Sequence, residues 1–122
     1  MKWLRKTIQN ERRALERARR SFIGKPTEKR LHEVRTTGRR FRSLLEDVAD
    51  FEPSLRLLRR VKRAAAATDA ARDATIIRRL LEATVDADEV EVAQQVLEQL
   101  RTQERLATDL ARKRLRRMRF LP

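Results

Sequence analysis

Apolar residues return at intervals of three and four along almost the whole chain, and the few helix breakers fall between the periodic stretches. The first stretch covers residues 2–21, with Trp3, Leu4, Ile8, Leu15 and Phe22 as its core contributors and Gly24 and Pro26 as its close. Thr27 is placed to cap a second helix over residues 28–48. There Leu31, Val34, Gly38, Phe41, Leu45 and Val48 recur at spacings of 3-4-3-4-3, the narrow seam of a helix packed in a bundle. Gly38 in that seam predicts a close approach of two helices. A turn at Asp50, Phe51 and Glu52 leads to Pro53, tolerated in the first turn of a third helix that reaches residue 67 with Leu55, Leu58 and Val61 inward. Thr68 and Asp69 read as a weak stop or kink, beyond which Ala70, Ala74, Ile77, Leu80 and Leu81 continue the pattern to residue 83. After a turn at 84–88, a last helix spans 88–119 with Val92, Val96, Leu100, Leu106 and Leu110 inward. It is long enough to overhang the rest.

The pattern predicts an all-α protein, an antiparallel four-helix bundle with a long C-terminal helix and a fifth segment if the chain kinks at Thr68-Asp69. Composition agrees, because two glycines, three prolines and 4% aromatics in 122 residues suit helices, and 40% hydrophobic residues are too many for a disordered tail. A chain of this length supports one core, so residues 1–122 are expected to form a single domain. It has no cysteine, which excludes disulfides and thiol chemistry, and its single histidine is too few for a multi-histidine metal site. No apolar run approaches the ~20 residues of a membrane span, and charges interrupt any signal-like segment at the N-terminus, so a soluble, cytoplasmic protein is expected.

Charge changes the picture most. The formal net charge is +13, and it is unevenly spread: residues 1–63 hold 20 Lys and Arg against 8 Asp and Glu, residues 64–100 hold 3 against 8, and residues 101–122 hold 8 against 2. On the second helix His32, Arg35, Arg39 and Arg42 follow one another at 3-4-3, so at about 100° per residue they form a stripe beside the apolar seam, with Arg40 well off it. Arg56, Arg59, Arg60 and Arg63 form a second row on the third helix, and two such rows on consecutive antiparallel helices can face a common groove. Like charges at this spacing repel by a few tenths of a kcal/mol per pair, which solvent screening or a bound anion relieves. Arginine suits phosphate because its planar fork donates two parallel hydrogen bonds and never loses its charge. His32 adds a further hydrogen-bond donor to the stripe. The plainer reading is a solvated face on which Glu46 and Glu52 partner the arginines. Arg72-Asp73 reads equally well as a local ion pair or as a ligand contact. The basic run Arg112–Arg119 also favours the helix dipole.

The segment Leu31-His32-Glu33-Val34-Arg35-Thr36-Thr37-Gly38-Arg39-Arg40-Phe41-Arg42-Ser43-Leu44-Leu45 resembles the signature helix of the CHAD family, the conserved histidine α-helical domains. That pattern is approximately V-H-x-x-R-V-x-x-R-R-L-R-x-x-L. His32, Arg35, Arg39, Arg40 and Arg42 fall on its basic positions. Leu55-Arg56-Leu57-Leu58-Arg59-Arg60 followed by Ala71-Arg72-Asp73-Ala74 is similar to the family's second landmark, with Thr75 where the family has Asp. The resemblance covers roughly residues 1–83. It implies a non-enzymatic module that binds inorganic polyphosphate through His32, Arg35, Arg39, Arg40, Arg42, Arg59, Arg60, Arg63 and Arg72, with no cofactor and no metal. It also implies a location at polyphosphate granules. Typical members contain two four-helix bundles, whereas this chain has room for one, so two copies would pair to complete the binding groove. The alternative is a basic helical protein that binds nucleic acid, a second polyanion that net charge alone does not separate from the first. No aromatic ladder for single strands is present. No paired carboxylates, phosphate loop or activated nucleophile marks an enzyme.

Overall fold

The structure, a computed structural model, describes residues 2–51 and 55–121, which form four helices with no strand among them. Glu52 and Pro53 lie outside those residues. The helices are α1 (Lys2–Gly24), α2 (Glu28–Asp47), α3 (Leu55–Thr84) and α4 (Val90–Arg116), the last preceded by a 3-10 turn at Ala87–Glu89. None of them is long and apolar enough to cross a membrane.

Local chemistry sets the first corner. Gly24 ends α1, yet no glycine has a positive φ, so it does not act as a left-handed cap. The stop comes from Pro26, whose ring disfavours helical backbone at the residue before it. Thr27 then starts α2 as expected. Its backbone is extended (φ −85°, ψ 160°) and its hydroxyl accepts the Arg30 N–H at 3.3 Å.

Each helix runs antiparallel to the next, as the cross-links show. Arg40 reaches Glu11 between α1 and α2, Arg35 reaches Asp69 between α2 and α3, Arg101 reaches Glu82 between α3 and α4, and Arg112 reaches the Ile23 carbonyl between α4 and α1. The core lies where all four helices are level, around Leu15, Phe22, Val34, Phe41, Val61 and Leu115. Of the α2 seam, Leu31, Val34, Gly38, Phe41 and Leu45 are buried and Val48 is half-buried. A Cβ at Gly38 would meet Leu15 Cδ1 at 3.8 Å, an ordinary contact, so α1 and α2 are close there without glycine being required.

The second half departs from the pattern in four ways. The chain does not kink at Thr68-Asp69: α3 is one helix of 30 residues, because Thr68 satisfies its own hydroxyl on the Ala65 carbonyl at 2.9 Å and is fully buried. The inward face of α3 is Leu57, Val61, Ala64, Thr68, Ala71 and Thr75, whereas Leu55, Ala70, Ile77 and Leu80 are exposed. On α4 the buried residues are Ala93, Ala111 and Leu115, with Ala107 half-buried between them. Val92, Val96, Leu106 and Leu110 face outward. For Leu80, Val92 and Val96 the cause is length. Glu28, the first residue of α2, is level with Arg78, so the rest of α3 and the start of α4 run on as a two-helix extension in which each helix has only the other to cover it. At the N-terminus Trp3 is likewise exposed while Leu4 beside it is buried.

The fourth departure is the C-terminus. Past α4 the chain turns back and buries Phe120 completely. Its N–H donates to Glu16 Oε1 at 3.1 Å. Glu16 is itself 3% exposed and also accepts from Arg19 (2.9 and 2.7 Å) and Arg20 (2.8 Å), while Arg19 donates onward to the Leu115 carbonyl at 2.9 Å. Burial pushes the Glu16 carboxyl up, but the Arg19 fork, the Phe120 N–H and Arg20 together outweigh it and hold the group below the usual carboxylate range. One buried carboxylate thus ties α1, α4 and the tail together.

Candidate functional site: a cationic groove between α2 and α3

The stripes of α2 and α3 enclose an open groove of about 700 Å³. Because α2 buries Leu31, Val34, Phe41 and Leu45, the residues one step around the helix, His32, Arg35, Arg39 and Arg42, necessarily stand along its flank. All four line the groove. The opposite wall is α3, which contributes Lys62, Ala65, Ala66, Asp69, Arg72, Ile76 and Arg79. From Lys62 to Arg79 that wall is about 25 Å long at 1.5 Å per residue.

The cations differ sharply in what already holds them. Arg35 is 18% exposed at its side chain and bridges the two walls, donating to the Ala65 carbonyl (3.3 Å), Thr68 Oγ1 (2.7 Å) and Asp69 Oδ1 (2.9 Å). Its charge is matched and its geometry fixed, so it shapes the groove. Arg42 pairs with Glu46 at 2.9 Å, Arg72 with Asp73 at 3.0 Å and Arg79 with Glu28, all on exposed side chains where such pairs contribute little and exchange readily. His32 is exposed, with Thr36 Oγ1 3.4 Å from its Nε2. Arg39 and Lys62 carry no hydrogen bond or ion pair among the described residues. They stand on opposite walls.

The other expected site residues are elsewhere. Arg40 projects to the α1 side and pairs with Glu11 at 2.8 Å. Arg59 is exposed and does not line the groove. Arg60 and Arg63 lie on the far flank of α3, where they line a second recess with Arg12, Arg117 and Arg119. The reason is the phase of α3. With Leu57, Val61, Ala64 and Thr68 inward, Leu58 half-buried against the core and Leu55 exposed, the Arg56–Arg63 row turns away from α2, and Lys62, Asp69, Arg72 and Arg79 take its place. Lys62 and Arg79 were not singled out by the sequence reading. Lys62 stands one step round the helix from Val61, which is inward as expected.

At the closed end Arg78, 16% exposed, reaches Glu82, Glu28 and Glu104 on three helices. Its hydrogen bond to Glu104 outweighs the effect of burial and raises its already high pKa, so its charge is spent on the fold. No family model matches the chain, and neither a curated protein nor a solved structure matches it.

Proposed function

We propose that the α2–α3 groove binds inorganic polyphosphate, the role that the resemblance to the CHAD family implies, and that the chain acts as a non-enzymatic binding module at polyphosphate-rich granules. The observation that carries this is the unmatched pair Arg39 and Lys62 on opposite walls of an elongated groove, flanked by Arg42, Arg72 and Arg79 in loose surface pairs. An extended polyanion neutralises such a row at every step and releases its own counterions, so affinity should fall steeply with salt. Arg35 positions the walls, and His32 and Thr36 offer hydrogen bonds at the rim.

The test is competition. Long-chain polyphosphate should displace a labelled polyphosphate better than duplex DNA at equal phosphate concentration, and Arg39→Glu with Lys62→Glu should weaken long-chain binding that Arg105→Glu leaves intact. Equal losses from both changes, or stronger displacement by DNA, would transfer the chain to the nucleic-acid reading. A second copy is the occupant proposed for the groove's open side, where Ile76 and Leu80 stand exposed. Sedimentation velocity with polyphosphate should show a dimer, and a monomer under all conditions would remove that part.

A further inference from the structure

The recess formed by α1, α3 and the C-terminal tail has a volume of about 540 Å³ and is lined by Arg12, Arg60, Arg63, Arg117, Met118, Arg119 and Leu121. Among the described residues that line it, five of the seven are arginines and none is a carboxylate, unlike the groove, whose lining includes Glu28 and Asp69. Two of the five hold the tail: Arg12 Nε donates to the Phe120 carbonyl, and Arg60 donates to the Arg119 carbonyl at 3.3 Å. Carbonyls accept hydrogen bonds but leave the charges standing. The side chains of Arg63, Arg117 and Arg119 have no partner among the described residues.

We infer that this recess is a second anion site, separate from the groove and independent of it, and that its ligand is a compact inorganic oligophosphate. Concentrated positive charge from three parts of the chain lowers the energy of a multiply charged anion more than that of a single phosphate. Guanidinium forks arriving from different elements match phosphate oxygens in several planes. Among the described lining residues Met118 and Leu121 are the apolar ones and none carries an aromatic ring, so they offer a nucleobase no stacking platform. The basic C-terminal run acquires a role here, because the buried Phe120 fixes Arg117 and Arg119 beside Arg60 and Arg63.

The experiment is calorimetric titration of the full chain with inorganic tripolyphosphate at low salt, on the wild type and two variants. Arg63→Gln, Arg117→Gln and Arg119→Gln together remove three charges without touching the bonds that hold the tail, and should weaken tripolyphosphate binding by roughly tenfold or more. Arg39→Gln with Lys62→Gln should leave one tripolyphosphate site in place while long-chain binding falls. Unchanged tripolyphosphate affinity in the triple variant, or its complete loss in the groove variant, overturns the tail site. Unchanged long-chain binding in the groove variant overturns the groove instead. Amide resonances of the unmutated chain keep the test valid if the triple variant misfolds: tripolyphosphate should shift Arg60, Arg117 and Arg119, and shifts confined to α2 would refute the inference.

Discussion

The seam between α1 and α4 and the groove between α2 and α3 are both rich in arginine, yet they use it in opposite ways. At the seam Glu16 accepts from Arg19, Arg20 and the Phe120 N–H, and the buried Arg19 is matched within the fold. In the groove Arg39 and Lys62 make no ion pair among the described residues. Arginine count therefore says little about function in this chain. The placement of its 18 acidic residues decides which cations belong to the fold and which face outward for a partner.

The largest effect should come from breaking the seam. Glu16→Ala leaves the Arg19 guanidinium buried without a counter-charge and should cost about 3–5 kcal/mol in urea unfolding. A loss below ~1 kcal/mol would mean that Arg19 escapes to solvent and that the seam is no different from the groove. Next comes acid. The Glu16 carboxyl titrates below its ordinary 4.5 in the folded chain, so its contribution is complete above that value and is lost as pH falls through the lower folded one. Wild-type stability should drop more steeply below pH 4.5 than that of Glu16→Gln, and parallel curves would contradict the assignment. Arg78→Ala, which unties α2, α3 and α4, should cost about 1–3 kcal/mol. Gly38→Ala, with room for its Cβ beside Leu15, should stabilise by about 0.5–1 kcal/mol through helix propensity. The smallest change in stability, within about 0.5 kcal/mol, is expected for Arg39→Gln with Lys62→Gln, because neither side chain has a partner to lose. The same pair should show the largest loss of polyphosphate affinity.

The first hairpin was legible because its signals agree. Pro26 and Thr27 punctuate it, and the α2 seam has large apolar residues on one side and charged ones on the flanks. Four of the groove residues, His32, Arg35, Arg39 and Arg42, followed from that phase directly. The phase of α3 was legible only in part. Val61 is buried and Leu58 packs half-buried against the core as expected, but Leu55 is exposed and Ala64 to Ala67 are apolar all round the helix, so the side of the Arg59–Arg63 row did not follow from the pattern. In α4 the large residues Val92, Val96, Leu106 and Leu110 outweighed the alanines that make the actual contact. Glu16 and Arg19 looked like surface residues in a charged run, though Arg19 shares its stripe with Leu15, Ala18 and Phe22. Phe120 follows an eight-residue run with six basic residues and has no periodic partner.

The sequence by itself determined that this chain is helical, where the first two helices begin and end, and that one flank of α2 is a row of cations. These depend on caps, breakers and the 3.6-residue turn, which act within a few residues. Only the tertiary structure decided which alanine face α3 presents, which arginines meet a carboxylate, and that the tail returns to bury Phe120. Those outcomes are set by contacts between residues far apart in sequence, where close packing of small side chains and the neutralisation of buried charge outweigh local pattern.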